Sequence, residues 1–299
     1  MKKTLLFAAA ALALTACSND DNLTGNSEAV AARVTANIDE PGSRAYDQTW
    51  EAGDMIGIST TSTGKTHYTN MKYSTTGDGN FTHVDGDASG IFFQDLSEVT
   101  FSAYYPFAGA EKTAAGIINN VTTEAQANQK TFDFLFSEGA KASRASSTLS
   151  FTGTSAFQHK MTRLVLNLQT DANSGFAATD VTTGTYKLNG IKHNGTFDTA
   201  TGEAVATGEA NTDWTITATA ADNANVRTYS MILYPQSGAT LTLKATIGGE
   251  SYTCNITPAL ASGMSYTYTI TVKKTGLTVS GCTIETWGDG GSTTGEATM

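Results

Sequence analysis

The amino-acid sequence predicts an all-β protein built as two tandem antiparallel β-sandwich domains. Three observations carry that expectation. Apolar residues recur at every second position through much of the chain, turn-forming residues interrupt the alternation at short intervals, and only one brief stretch has helical spacing. One apolar parity is what a sheet buried on a single face requires. Many short strands between turns describe sandwiches, not a parallel α/β sheet.

The first strand is Arg33 to Asp39, with Val34, Ala36 and Ile38 on the inward parity. Glu40-Pro41-Gly42-Ser43 then turns the chain toward Arg44. In the segment Trp50 to Ile58, Trp50 caps a sandwich edge, Gly53-Asp54 makes a turn, and Ile56 and Ile58 enter the core. Further strands are expected at Ile56 to Thr60, His67 to Ser74, Asn80 to Val84 and Val99 to Tyr105, and residues 122–130 are expected to form one or two short helical turns. Ser137 to Ser147 contains no large apolar residue and reads as a linker or exposed loop. That places a boundary between domains at 31–145 and 146–299.

A second strand system starts at Leu149 and runs through Phe157 and Met161 into Leu164–Leu168. It continues with Trp214–Ala218, Leu241–Ile247, Ser251–Ile256 and Tyr266–Val272. Gly249 sits where a tight hairpin joins two of these strands. No internal repeat stands out.

Residues 1–16 have a basic start, Lys2-Lys3, and an apolar core too short to span a bilayer, which is a secretory signal peptide. Leu14-Thr15-Ala16-Cys17 fits a bacterial lipobox, so Cys17 is the expected lipidation site and residues 17–30 a flexible tether. Lipid on Cys17 would hold the protein to the outer membrane, each buried methylene adding about 0.8 kcal/mol. The formal net charge of −10, without a Lys/Arg cluster, argues against nucleic acid as a partner.

Enzyme motifs are missing: there is no His-Glu-x-x-His, Gly-x-Ser-x-Gly, phosphate loop or dinucleotide fingerprint. No catalytic residue, cofactor or metal is therefore expected. Asp85-Gly86-Asp87-Ala88-Ser89-Gly90 imitates half of a calcium loop, but Leu96 stands where the bidentate Glu belongs, and an Asp/Gly turn explains the same letters. His67, His83, His159 and His193 lack metal spacing. Cys254 and Cys282 lie in strand-like stretches and are open to two readings, buried thiols or a disulfide. Asp198-Thr199-Ala200 resembles a Bacteroidota O-glycosylation site.

Three motifs in order resemble the Bacteroidales fimbrillin family of type V pilins and fimbrillin-like surface lipoproteins. They are Trp50-Glu51-Ala52-Gly53-Asp54-Met55-Ile56-Gly57-Ile58, Phe157-Gln158-His159-Lys160-Met161-Thr162-Arg163-Leu164, and Leu260 to Tyr268 with Ile284-Glu285-Thr286-Trp287 after it. The resemblance implies transthyretin-like sandwiches and a fimbrial subunit, stalk or accessory, that supports adhesion by assembling with other fimbrillin subunits. It also implies an Arg-specific protease that cuts Arg44-Ala45. The strand Ala31–Asp39 would then leave, and its groove would take a strand from the next subunit, with the C-terminal strands near Leu277–Trp287 as donor. An open sheet edge beside an apolar groove is a strong template for another chain. The alternative is a monomeric outer-membrane surface lipoprotein that binds glycan or host protein.

Overall fold

The computed structural model describes residues 29–39, 49–217, 226–287 and 292–293. In the first part of the chain the strands are β1 (Val30–Ala31), β2 (Arg33–Ala36), β3 (Met55–Thr60), β4 (Met71–Thr75), β5 (Asn80–His83), β6 (Phe92–Phe93) and β7 (Val99–Tyr105). There follow β8 (Ile117–Thr122), β9 (Leu135–Ala142), β10 (Thr148–Phe151) and β11 (Gln158–His159). The later part contributes β12 (Thr162–Gln169), the short helix α1 (Ala178–Thr183), β13 (Thr185–Asn189), β14 (Asn194–Asp198), β15 (Ala204–Thr207) and β16 (Trp214–Thr215). It ends with β17 (Val226–Leu233), β18 (Leu241–Ile247), β19 (Glu250–Ile256), β20 (Met264–Lys273), β21 (Gly276–Thr286) and β22 (Ser292–Thr293).

The chain is all-β, and most of its pairings are antiparallel. Eight strands form one sheet in the order β10-β2-β5-β4-β3-β7-β9-β11. Its apolar side chains gather in one core, among them Ile56, Ile58, Phe81, Phe101, Leu149, Phe151 and Phe157. Strands far apart in the sheet order, β10 and β9, also lie against each other, so the sheet curls over its own core. Later, a five-stranded sheet, β17-β12-β20-β21-β22, faces a four-stranded one, β16-β13-β18-β19. Alternating residues of both enter a single cluster, for example Leu164, Leu166 and Leu168 against Leu241, Leu243 and Ala245, which is the construction of a sandwich. The β18–β19 hairpin turns on Gly248 and Gly249, whose φ angles of 60° and 87° are those of a two-residue primed turn.

Two features depart from the sequence expectation. Ser137–Ala142 is not a linker but the greater part of β9, with Ser137, Ala140 and Ala142 buried against β7. Small residues pack a close strand pair there, so the lack of large side chains misled. Only Ser143–Ser146 turns, closed by reciprocal backbone bonds between those two residues. Beyond it, β10 and β11 hydrogen-bond into the first sheet. The short helical turn expected within 122–130 is present as a kinked 3-10 turn, Gln126–Thr131.

The two parts of the chain are joined by shared structure. Strand β8 pairs with β14, and with β15 they form a separate three-stranded sheet. Gln126 donates to the Ile232 carbonyl (2.9 Å) and accepts from its N–H (2.9 Å), copying a strand's backbone pairing with β17. A third apolar cluster fills the junction with Tyr104, Phe134, Phe136, Phe197, Tyr234 and Trp287. Gly195 is required in it, because a Cβ there would meet the Tyr234 ring at 2.5 Å.

Candidate functional site

The first strand is held on both sides. β2 runs parallel to β10, pairing Arg33 through Ala36 with Thr148 through Phe151, and antiparallel to β5 at Val34–Phe81 and Thr35–Asn80. The pairing extends past the strand itself. Asn37 N–H donates to Phe151 O (3.0 Å), Phe157 N–H to Asn37 O (2.9 Å) and Asp39 N–H to Phe157 O (2.8 Å). Upstream, β1 pairs with β6, and Ala32 N–H donates to Ile91 O (2.8 Å). Val34, Ala36 and Ile38 all point into the core, as their parity requires.

Trp50 is the second half of this arrangement. Its indole N–H donates to the Ala36 carbonyl at 2.8 Å, and its ring meets Phe81, Tyr105 and Phe157 edge to face at 5.1, 5.6 and 5.2 Å. It is therefore no simple edge cap: it clasps the first strand from the side. The turn after it is built as expected. Gly53 adopts φ 93°, the Glu51 N–H donates to Asp54 Oδ2 (2.7 Å), and Tyr105 OH donates to Asp54 Oδ1 (3.1 Å). Burial, reinforced by the Asp54 carboxylate, pushes the Tyr105 phenol far up. Gly79 completes the clasp: its carbonyl accepts the Ala36 N–H, and at φ 76° a Cβ would sit 3.0 Å from Ala36 O.

Taking away residues 29–39 would thus uncover the apolar core that includes Phe81, Phe93, Leu149, Phe151 and Phe157, between the exposed backbone edges of β5 and β10. Burial of Val34 and Ile38 is worth about 1.5–3 kcal/mol each. Each backbone bond adds a net of about 1 kcal/mol. Such a groove is both apolar and rich in unpaired donors and acceptors, so an extended peptide fits it on both counts.

The other sequence candidates fall as follows. Cys17, Arg44 and Ala45 lie outside the described residues. Cys254 and Cys282 are free thiols, half-buried on β19 and β21. Burial pushes Cys254 up to about 11 and raises Cys282 as well. Thr199 is buried and its hydroxyl donates to Gly116 O (2.8 Å), so a sugar on it would require the turn to open. The Asp85–Gly90 stretch is a pair of turns, with Gly86 N–H donating to His83 O and Ser89 N–H to Gly86 O. Among the described residues no group of three or more His, Cys, Asp or Glu is placed to hold a metal ion.

The histidines are tied into the scaffold separately. His83 Nε2 lies 2.5 Å from Glu111 Oε1, while its Nδ1 accepts the Asp85 N–H. His193 shares a hydrogen bond with Thr123 Oγ1 (3.1 Å), and its burial lowers its pKa. His159 Nδ1 pairs with buried Asp133 (2.9 Å) while its ring stacks flat on Trp287, 3.9 Å between centroids. This stack fastens the end of β21 to the domain junction. No sequence signal joined Asp133, His159 and Trp287, which are far apart in the chain.

A family model described as fimbrillin-like matches residues 43–287. The chain is 30% identical over 320 residues to "Putative fimbrium subunit Fim1C" of Bacteroides uniformis, covering 99% of this chain and all of that one. Two crystal structures, each titled a "putative cell adhesion protein", share the fold. The one from Bacteroides ovatus is 27% identical with a TM-score of 0.72, and the one from Bacteroides uniformis is 28% identical with 0.68. Each covers 87% of this chain and 99% of its own. Family model and full-length relative agree, and the chain belongs to the fimbrillin-like family.

Proposed function

We propose that this chain is a structural or accessory subunit of cell-surface fimbriae, assembled with other fimbrillin subunits by strand exchange and serving adhesion. The single observation that supports this most is the first strand: a short N-terminal segment, held by pairing on both edges, covers an apolar groove made by the rest of the fold. Its docking is noncovalent, so one cut in the stretch that follows would make it exchangeable. Arg44 lies in that stretch, and an Arg-specific protease cutting Arg44-Ala45 is the proposed trigger. The fimbrium subunit and cell adhesion names carried by the relatives support the same role.

The chain travels, in this proposal, as a lipoprotein acylated on Cys17 and reaches the outer-membrane surface, and it has no enzymatic role. The donor is the C-terminal segment. It comprises the C-terminal strands near Leu277–Trp287, whose end Trp287 packs in the junction. The test is assembly in vitro. Purified mature chain treated with an Arg-specific protease should form multimers visible by size exclusion and electron microscopy, and R44A should stay monomeric under the same treatment. Multimers from treated R44A, or a fully cleaved wild type that stays monomeric, would sink the proposal.

A further inference from the structure

The sandwich formed by the five- and four-stranded sheets has two ends. One meets the domain junction, and the other is closed by the β18–β19 hairpin, the β20–β21 turn, and the loop leading into α1. At that far end lies a cleft of about 600 Å³ lined by Phe176, Asp180, Ile247, Glu250, Tyr252 and Lys274. The volume falls within the range of clefts that take small ligands, about 300–1,000 Å³. Nothing in the strand-docking role uses it, and its apolar residues pack on a different core from the one the first strand joins.

The lining has a definite chemistry. Phe176 and Tyr252 meet edge to face, 5.7 Å between centroids and 88° between planes, and both are half-buried. Two carboxylates, Asp180 and Glu250, and one ammonium, Lys274, stand at the same cleft. Asp180 is already oriented, its Oδ2 accepting the Ala177 N–H at 2.8 Å. Lys274 is held too: its backbone N–H donates to Ser174 O (2.9 Å) and its Nζ sits 5.6 Å above the Phe176 ring.

These groups discriminate between ligand classes. Two carboxylates against one ammonium repel a phosphate or a polyanionic chain. An acyl chain would strand the charged lining without partners. A cationic side chain would suit aromatic rings and carboxylates, but Lys274 already supplies an ammonium to that ring. What remains is a neutral molecule with an apolar face for an aromatic ring and hydroxyls for both donors and acceptors. A saccharide has both. We propose that this cleft binds a neutral oligosaccharide, with Tyr252 packing on a sugar face and Asp180, Glu250 and Lys274 bonding its hydroxyls.

The test uses the unassembled mature chain, so its outcome does not depend on polymerisation. Calorimetry against cellotriose, maltotriose, mannotriose, xylotriose and chitotriose should detect binding of at least one. Y252A should weaken that binding about tenfold or more. The exposed-site variant E250Q should weaken it too while leaving the circular dichroism spectrum and melting curve unchanged, which separates lost contacts from lost folding. Leu96→Ala, on the other sheet system, should bind as wild type. The proposal is overturned if none of the five sugars binds. It is equally overturned if Y252A and E250Q bind as wild type, or if the cleft takes an oligolysine peptide and no sugar.

Discussion

Replacing Ile38 by alanine tests whether the first strand is a separable piece of the fold. Ile38 is 6% exposed, belongs to the first core and bridges to Phe157. The change removes three carbon atoms at about 0.8 kcal/mol each. The cavity left beside Phe157 brings the loss to about 3 kcal/mol. If residues 29–39 open as a unit, all of that loss falls on the opening equilibrium. Opening then becomes about a hundredfold more frequent. Hydrogen exchange followed by mass spectrometry reads this directly. Protection should fall about a hundredfold in the peptide over 29–39 and in the facing edges of β5 and β10, while β12 and β20 keep theirs. Leu96→Ala is the matched control, since Leu96 is 61% exposed and costs little. An equal loss across the whole first sheet would mean that the strand opens only with its domain, and a change below about threefold would mean that Ile38 does not hold it.

Other expectations follow from the same geometry. Gly79→Ala puts a Cβ 3.0 Å from Ala36 O at φ 76°, and should cost about 1–2 kcal/mol in urea denaturation while loosening the first strand. Trp287→Ala removes the ring stacked on His159 and should cost about 3–5 kcal/mol, with loss of near-ultraviolet dichroism from the junction. Burial pushes the Tyr73 and Tyr234 phenols up to about 12. Since the unfolded chain ionises near the ordinary value of 10, their contribution is intact below about pH 10 and is lost as pH rises toward 12. Phenolate absorbance should therefore appear together with loss of β dichroism across that window. Cys254 and Cys282 should react slowly with a thiol reagent in the native chain at neutral pH, and both should be alkylated in unreduced denatured protein.

Much of the fold was legible because alternation is a local signal. Leu241–Ile247 matches β18 residue for residue, and Tyr266–Val272 lies inside β20. The inward parity of Val34, Ala36 and Ile38 was equally plain. Pairing partners were not legible, since strand neighbours in space need not be neighbours in sequence. Nothing in Thr148–Phe151 announces that it lies parallel to Arg33–Ala36, or that β12 lies parallel to β20. Ser137–Ala142 failed for another reason: alanine alternating with polar residues looks like a loop to a reading that counts bulky side chains. At the candidate site, Trp50 was legible as a structural residue but was expected at a sandwich edge, and it lies in the first core. Its bond to Ala36 was not legible, because the link depends on how the chain returns after the turn. Asp133, His159 and Trp287 meet only once both parts of the chain have folded.

The most direct measurement is the N-terminal sequence and intact mass of the protein recovered from fimbriae on its native cell surface. Removal of the first strand by cleavage after Arg44 requires chains that begin at Ala45 and carry no lipid. Fimbrial chains that begin at lipidated Cys17 would contradict it, because the groove would then still hold its own strand.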